Sequence, residues 1–286
     1  MWILWGVFST LLGSLSVPFR KKSLAITNIS NPLYINLGNV IGLTIVVIFF
    51  MLWYMDTALL SYKFFIFLWL SATLFFFKTP IILNVYKKEK ISALLPYENL
   101  NKIFIVIISF LFLSSINPVS TSSFVVTLIA ICVIVGFTVD WKKMILPKSF
   151  NNIIVRQGLQ SVHSLVIAYT VSLATDKIYF MMYLIVLTIV FSYSNIKNKE
   201  FSVLPTLPKE FYKSRITESL LWNVWYIITL FLMSTYGIII TILLSFLWLG
   251  MTMFFSYFML WEKPTRKEIS LIVIVSSLVG IWFFLK

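Results

Sequence analysis

Ten apolar runs, each close to the length that crosses a bilayer, constrain this sequence more than any other feature. They span approximately 2–17, 33–53, 64–85, 92–115, 122–139, 153–173, 178–194, 216–235, 237–260 and 267–285. A helix rising 1.5 Å per residue needs about 20 residues to cross roughly 30 Å of hydrocarbon. The first run is short and extends to Phe19, past Pro18, and the fourth is the most polar at its start. The runs are continuous rather than alternating, so they predict helices and not barrel strands. With hydrophobic residues at 60% and charged residues at only 12% of 286 residues, no polar shell is left for a soluble domain of this size. Mean hydropathy is +0.96. The predicted class is an all-α, polytopic membrane protein with ten transmembrane helices, in the cell (plasma or inner) membrane.

The net charge of +13 raises the question of nucleic acid. The basic residues, however, sit in short clusters between apolar runs, which is the pattern of membrane-protein loops. Loops that follow odd-numbered runs, with their edges, hold 18 of the 23 Lys and Arg residues: Arg20, Lys21 and Lys22; Lys87, Lys88 and Lys90; Lys142, Lys143, Lys148 and Arg156; Lys197, Lys199, Lys209, Lys213 and Arg215; Lys263, Arg266 and Lys267. By the positive-inside rule these loops face the cytoplasm and both termini face outward. The longest connection, 195–215, carries two prolines and reads as a surface loop.

A single cysteine, Cys132, allows no internal disulfide and no cysteine-based metal site. The opening run has its charges after it, where a cleavable signal peptide carries them before its apolar core. No GxxxxGK[ST], HExxH or Gly-x-Ser-x-Gly pattern occurs, so the expectation is no ATP-driven engine, no hydrolytic site, no cofactor and no metal.

A shift of 144 positions superposes 121–136, TSSFVVTLIAICVIVG, on 265–280, TRKEISLIVIVSSLVG, with Thr121 on Thr265 and Gly136 on Gly280. Each stretch closes a group of five runs. Five is odd, so the second group would enter the membrane inverted, giving repeats over 1–141 and 142–286.

The stretch 258–281, FMLWEKPTRKEISLIVIVSSLVGI, resembles the end of the drug/metabolite transporter superfamily, the EamA-type permeases. Glu262, Pro264, Thr265, Glu268 and Gly280 match that family's acidic corner and final helix, and Trp261 stands where it often has glycine. The first run, WGVFSTLLGSLSVPFRKKSL, is similar to the family's opening helix. In the first repeat the acidic corner is replaced by Ser114, Ser115, Ile116, Asn117 and Pro118. The resemblance implies two five-helix halves around one central cavity, bordered by the third, fourth, eighth and ninth spans. Ten-span members usually have cytoplasmic termini, against the outward termini the charges predict.

Ionisable residues inside spans are costly, which makes each a candidate for function. Lys78, near Pro80 in the third span, reads either as a snorkelling lysine or as a cavity cation held by a carboxylate. Glu98 is the expected partner. It stands with Asn99, Asn101 and Lys102 in the fourth span, and Glu98 to Lys102 is an i, i+4 pair that is either a self-neutralised turn or a cavity wall. On the eighth span Glu218, Trp222 and Trp225 form one stripe, with Asn223 and Tyr226 beside it. They read as an interfacial aromatic belt or as a site for a cationic or amphipathic solute. The sixth span carries Gln157, Gln160, Ser161 and Ser164 on one face with His163 adjacent; His163 is either a packing residue or a group that titrates during transport.

Taken together, these residues predict a secondary transporter of a small-molecule organic solute, coupled to protons or working by exchange, as a monomer or homodimer in the lipid bilayer. The rival class is a polytopic membrane enzyme or lipid-handling scaffold.

Overall fold

The computed structural model describes residues 2–26, 29–52, 60–88, 91, 105, 125, 128, 129, 132, 133, 150–236, 238–263, 265, 266, 269, 270, 273, 274 and 277. Among these the chain is all-helical, without strands. The elements are α1 (Trp2–Ile26), α2 (Asn31–Leu52), α3 (Tyr62–Lys88), α4 (Phe150–Ser172), α5 (Asp176–Lys197), a 3-10 helix (Glu200–Thr206), α6 (Lys209–Tyr236) and α7 (Ile238–Leu260). Ile3–Ile26, Tyr62–Lys87, Asp176–Lys197 and Lys209–Tyr236 are long and apolar enough to cross a membrane. The seven α-helices fall on seven predicted spans. The predicted spans 92–115, 122–139 and 267–285 lie largely outside the described residues; the few residues described within them are helical. The Ile269 N–H donates to the Thr265 carbonyl at 3.1 Å, a helical i to i−4 bond where the last span was expected to begin.

Three boundaries differ from the sequence expectation. α1 continues through Pro18 to Ile26. Proline removes a backbone donor, and the Ser16 hydroxyl, donating to the Gly13 carbonyl at 2.7 Å, satisfies a nearby acceptor. α3 likewise runs on past Pro80 to Lys88, and the Asn31 amide donates to the Pro80 carbonyl at 3.4 Å. α6 begins at Lys209 instead of 216, so the connection 195–215 is largely ordered as a 3-10 turn and the first turns of α6. Tertiary burial accounts for this early start. Phe211 is fully buried edge-on against Tyr34 at 6.4 Å between centroids, and the Ser214 hydroxyl donates to the Phe19 carbonyl at 3.0 Å.

α1 packs chiefly on α6, α3 on α4, and α2 on α5, with further contacts between α2 and α6 and between α3 and α5. Exchanging α1, α2 and α3 for α4, α5 and α6 maps α1–α6 onto α3–α4 and α2–α6 onto α3–α5, and leaves α2–α5 unchanged. α2 and α5 run antiparallel: Asn36, early in α2, donates to the Ser192 hydroxyl, late in α5, at 3.0 Å. Ser30, just before α2, likewise donates to Glu200, just after α5.

One end of the bundle gathers the helix termini that carry the basic clusters. Lys21 reaches Glu262 at 2.5 Å, Arg20 reaches Glu218 at 2.9 Å, and the Lys87 ammonium donates to the Ile29 carbonyl at 3.2 Å. The outer surface is apolar: Phe65, Ile66, Trp69 and Phe77 on α3 and Phe254 and Phe258 on α7 are all exposed. A soluble monomer rarely exposes such contiguous apolar area.

Candidate functional site: a cavity between the helices

A cavity of about 330 Å³ lies at the centre of the bundle. Its wall includes Lys78 of α3, His163 of α4, and Glu218, Trp222, Asn223 and Tyr226 of α6. Six of the sequence candidates thus meet in one space. Glu98, Asn101 and Lys102 lie outside the described residues; Ile105, from the same predicted span, is helical and lines the cavity.

Glu218 is 2% exposed and accepts from three donors. Arg20 Nε approaches one carboxylate oxygen at 2.9 Å, while Arg215 and the Tyr34 hydroxyl (3.1 Å) hold the other. Arg215 also donates twice to the Tyr34 carbonyl, at 2.8 and 3.1 Å, and its guanidinium lies 4.0 Å over the Tyr34 ring. Gly38 of α2 makes room for it, because a Cβ there would overlap the Arg215 guanidinium. Arg20, in turn, stacks 4.2 Å over Trp222. The cluster ties α1, α2 and α6 together through one carboxylate.

The second cluster is built on Lys78, which is 7% exposed. Its ammonium donates to Gln160 Oε1 at 2.5 Å and to His163 Nδ1 at 2.6 Å, and lies 5.5 Å from the Phe75 ring. With Lys78 protonated, Nδ1 accepts and the imidazole proton sits on Nε2. Nε2 faces the Ser71 hydroxyl at 3.0 Å and the Tyr183 hydroxyl at 3.2 Å, and Ser71 reaches the Tyr179 hydroxyl at 2.7 Å. An unbroken hydrogen-bonded chain therefore runs Lys78, His163, Ser71, Tyr179. It joins α3, α4 and α5.

Several sequence expectations are revised by this geometry. Lys78 turns inward and does not snorkel, and the partners described for it are an amide and an imidazole where a carboxylate was expected. Trp222 and Tyr226 line the cavity, so they do not form an outward belt. Tyr226 packs 5.4 Å from Phe180 and 6.3 Å from Tyr183. Asn223 plays a packing part: its amide donates to the Ser219 carbonyl at 2.7 Å, and it lies against Gly42 of α2.

Three charged cavity residues were missed. Arg20, Arg156 and Arg215 were counted as loop or edge charge, yet all line the cavity. A usable signal existed for Arg215, which precedes Glu218 by three residues and shares its helical face once the helix is taken to start after Pro208. No group of three or more His, Cys, Asp or Glu side chains that could hold a metal occurs among the described residues.

No family model matches the chain, and no curated protein matches it. A solved structure, described only as the crystal structure of a protein, is similar over 97% of this chain and 96% of its own, with a TM-score of 0.66 and 11% identity. At that identity the likeness is one of fold. The fold of this all-helical chain is one that an experimentally determined protein also adopts over nearly its whole length.

Proposed function

We propose that this chain is a secondary active transporter of a small organic metabolite, working by alternating access in the cell membrane. Ten transmembrane helices form two inverted five-helix halves, 1–141 and 142–286, which rock about the central cavity. The odd-numbered loops face the cytoplasm, and the protein acts as a monomer or homodimer.

The observation that carries this reading is the cavity itself. A cavity walled by side chains from both halves, mostly apolar but carrying Lys78, His163 and Glu218, sits inside a bundle whose outer surface is apolar. Charged groups held within an apolar bundle mark solute or ion pathways. The exchange of pairings between α1–α3 and α4–α6, and the antiparallel course of α2 and α5, support the inverted duplication. On a helix of 3.6 residues per turn, positions 98, 101 and 102 would share a face with Ile105, as the proposed fourth span bordering the cavity requires. The Lys78–His163–Ser71–Tyr179 chain supplies groups able to pass or hold a proton, which suits proton coupling.

The resemblance to EamA-type permeases gains support from Trp261. It adopts φ 57° at the end of α7, the left-handed backbone that favours the glycine those permeases often carry there. Glu262, in the acidic corner, accepts from Lys21 at 2.5 Å and from the Ile91 N–H at 3.1 Å, so the corner locks several segments at one end of the bundle.

The test is a thermal-shift screen of the purified protein against metabolites, followed by counterflow of the hit in proteoliposomes. A ligand that binds the folded state raises the melting temperature. A hit that exchanges across the vesicle membrane is expected; a hit that binds without moving assigns the chain to the enzyme or scaffold class.

A further inference from the structure

Two basic side chains, Lys78 and His163, touch each other inside the bundle. Lys78 Nζ lies 2.6 Å from His163 Nδ1 and 2.5 Å from Gln160 Oε1. At that separation one hydrogen lies between the two nitrogens. An ammonium and an imidazolium cannot meet there, because two N–H donors would face each other with no lone pair between them. The pair therefore has two fully bonded forms. In the loaded form Lys78 is an ammonium, Nδ1 accepts from it, and Nε2–H faces the hydroxyls of Ser71 and Tyr183. In the empty form Lys78 is an amine that still donates to Gln160 and accepts from Nδ1–H, while the bare Nε2 accepts from one of those hydroxyls. The balance is one proton. The shared hydrogen passes from Nζ to Nδ1, and the Nε2 hydrogen leaves through Ser71 toward Tyr179. Hydroxyl hydrogens rotate to suit either form, so both use the same heavy-atom positions.

The surroundings allow the charge to change. An ion pair holds its members charged, as Arg20 and Arg215 hold Glu218. No described carboxylate touches Lys78. Its described partners are an amide, an imidazole and the Phe75 ring, so loss of the proton strands no counter-ion. The ionisable groups that face the pair are Arg156 on α4, Tyr179 and Tyr183 on α5, and Tyr226 on α6, a hydrogen-bond partner of Tyr179. Arg156 adds like charge and donates to Gln157 Oε1 at 3.2 Å. Arg20 of α1, Tyr34 of α2 and Arg215 of α6 also line the cavity, but they are bound to Glu218 in the other cluster.

We infer that Lys78 and His163 form one proton-binding site, positively charged when loaded and neutral when empty, and that its proton is the one coupled to solute movement. This assignment rests on the transporter reading and names the residues that carry its coupling. Lys78 changes charge, while His163, a candidate for titration from the sequence, changes only tautomer. The two groups titrate as a unit. Both line the cavity, so a solute bound there faces a wall whose charge depends on the proton. Whatever the proton does to solute affinity, the solute does to proton affinity by the same factor.

The test uses the full chain in detergent, with the proton as the probe. The sequence has one histidine, so labelling with 15N-histidine gives one imidazole, whose two nitrogen signals report charge and tautomer by NMR. Between about pH 5 and 8 the parent ring is expected to stay neutral, as Nε2–H when the site is loaded and Nδ1–H when it is empty. In Lys78→Gln the ring takes the proton itself, and an imidazolium signal is expected at the acid end. Lys78→Arg serves if that variant does not fold: a guanidinium keeps its proton, so the ring is expected to remain Nε2–H throughout. An imidazolium in the parent over the range where Lys78→Gln shows one, or a tautomer change that persists in Lys78→Arg, overturns the site. In proteoliposomes both variants are expected to keep counterflow of the metabolite returned by the thermal-shift screen and to lose its accumulation under an imposed pH gradient. Accumulation at the parent's level overturns the coupling. One-proton behaviour in a protein without counterflow would leave the site standing and remove transport. Counterflow with His163 titrating independently of Lys78 would do the reverse.

Discussion

Replacing Glu218 by glutamine tests the structural logic of the cavity most sharply. The side chain is 2% exposed, and its carboxylate compensates two guanidinium groups while accepting from the Tyr34 hydroxyl. Glutamine keeps the volume and one acceptor oxygen but removes the charge. Arg215, 6% exposed, and Arg20 would then face each other with no described carboxylate between them. Removing one partner of a buried ion pair costs on the order of 3–5 kcal/mol. Arg20 borders the cavity and can be hydrated there, and Arg215 keeps its two bonds to the Tyr34 carbonyl. Both facts place the expected loss near the lower end, about 3 kcal/mol. The assay is denaturant unfolding in detergent followed by tryptophan fluorescence, on the parent, Glu218→Gln, Arg215→Gln and the double variant. The cycle isolates the pair, and a coupling of at least about 1.5 kcal/mol is expected for groups in direct contact. A Glu218→Gln variant within about 0.5 kcal/mol of the parent, or additive single effects, would refute the claim that this carboxylate holds α1, α2 and α6 together.

Other substitutions probe neighbouring parts of the account. Gly38→Ala places a methyl against the Arg215 guanidinium, so a loss of about 1–3 kcal/mol in the same unfolding assay is expected, and an unchanged midpoint would mean α2 and α6 are less closely packed. Glu98→Gln is expected to abolish coupled transport in proteoliposomes without lowering the melting temperature; normal transport removes Glu98 from the site. Tyr226→Ala removes a hydroxyl and a ring from the cavity wall and is expected to raise the half-saturation concentration of the transported solute, with folding retained. Reporter fusions after Lys22, Lys90 and Lys199 are expected in the cytoplasm and a C-terminal tag outside. A cytoplasmic C-terminus contradicts the charge rule used for orientation.

The helices were legible because a bilayer-length apolar run leaves few alternatives: each α-helix described coincides with a predicted span. The candidate site was legible in its interior members, since Lys78, His163 and Glu218 stand out against apolar neighbours. What escaped were residues whose role depends on partners distant in sequence. Arg215 looks like loop charge until Phe211 and Ser214 pack on Tyr34 and Phe19 and draw α6 seven residues earlier than its apolar run begins. Arg20 looks like a cytoplasmic anchor until Glu218, 198 positions away, takes its guanidinium. The partner of Lys78 was sought among carboxylates because charge seeks charge. Glu98, the expected partner, lies outside the described residues, and Gln160 and His163 are the described partners, through hydrogen bonds that periodicity on α4 cannot disclose.

Access to the cavity tests the central claim most directly. Ser164 lines it, and Cys132 is the one cysteine in the sequence, so a Cys132→Ser background with Ser164→Cys carries a single thiol at the site. In proteoliposomes of defined orientation, a membrane-impermeant maleimide is added to one face or the other and labelling is followed over time. Alternating access predicts that the thiol is labelled from either face. Labelling from one face only, under every condition, would contradict a transporter that rocks about this cavity.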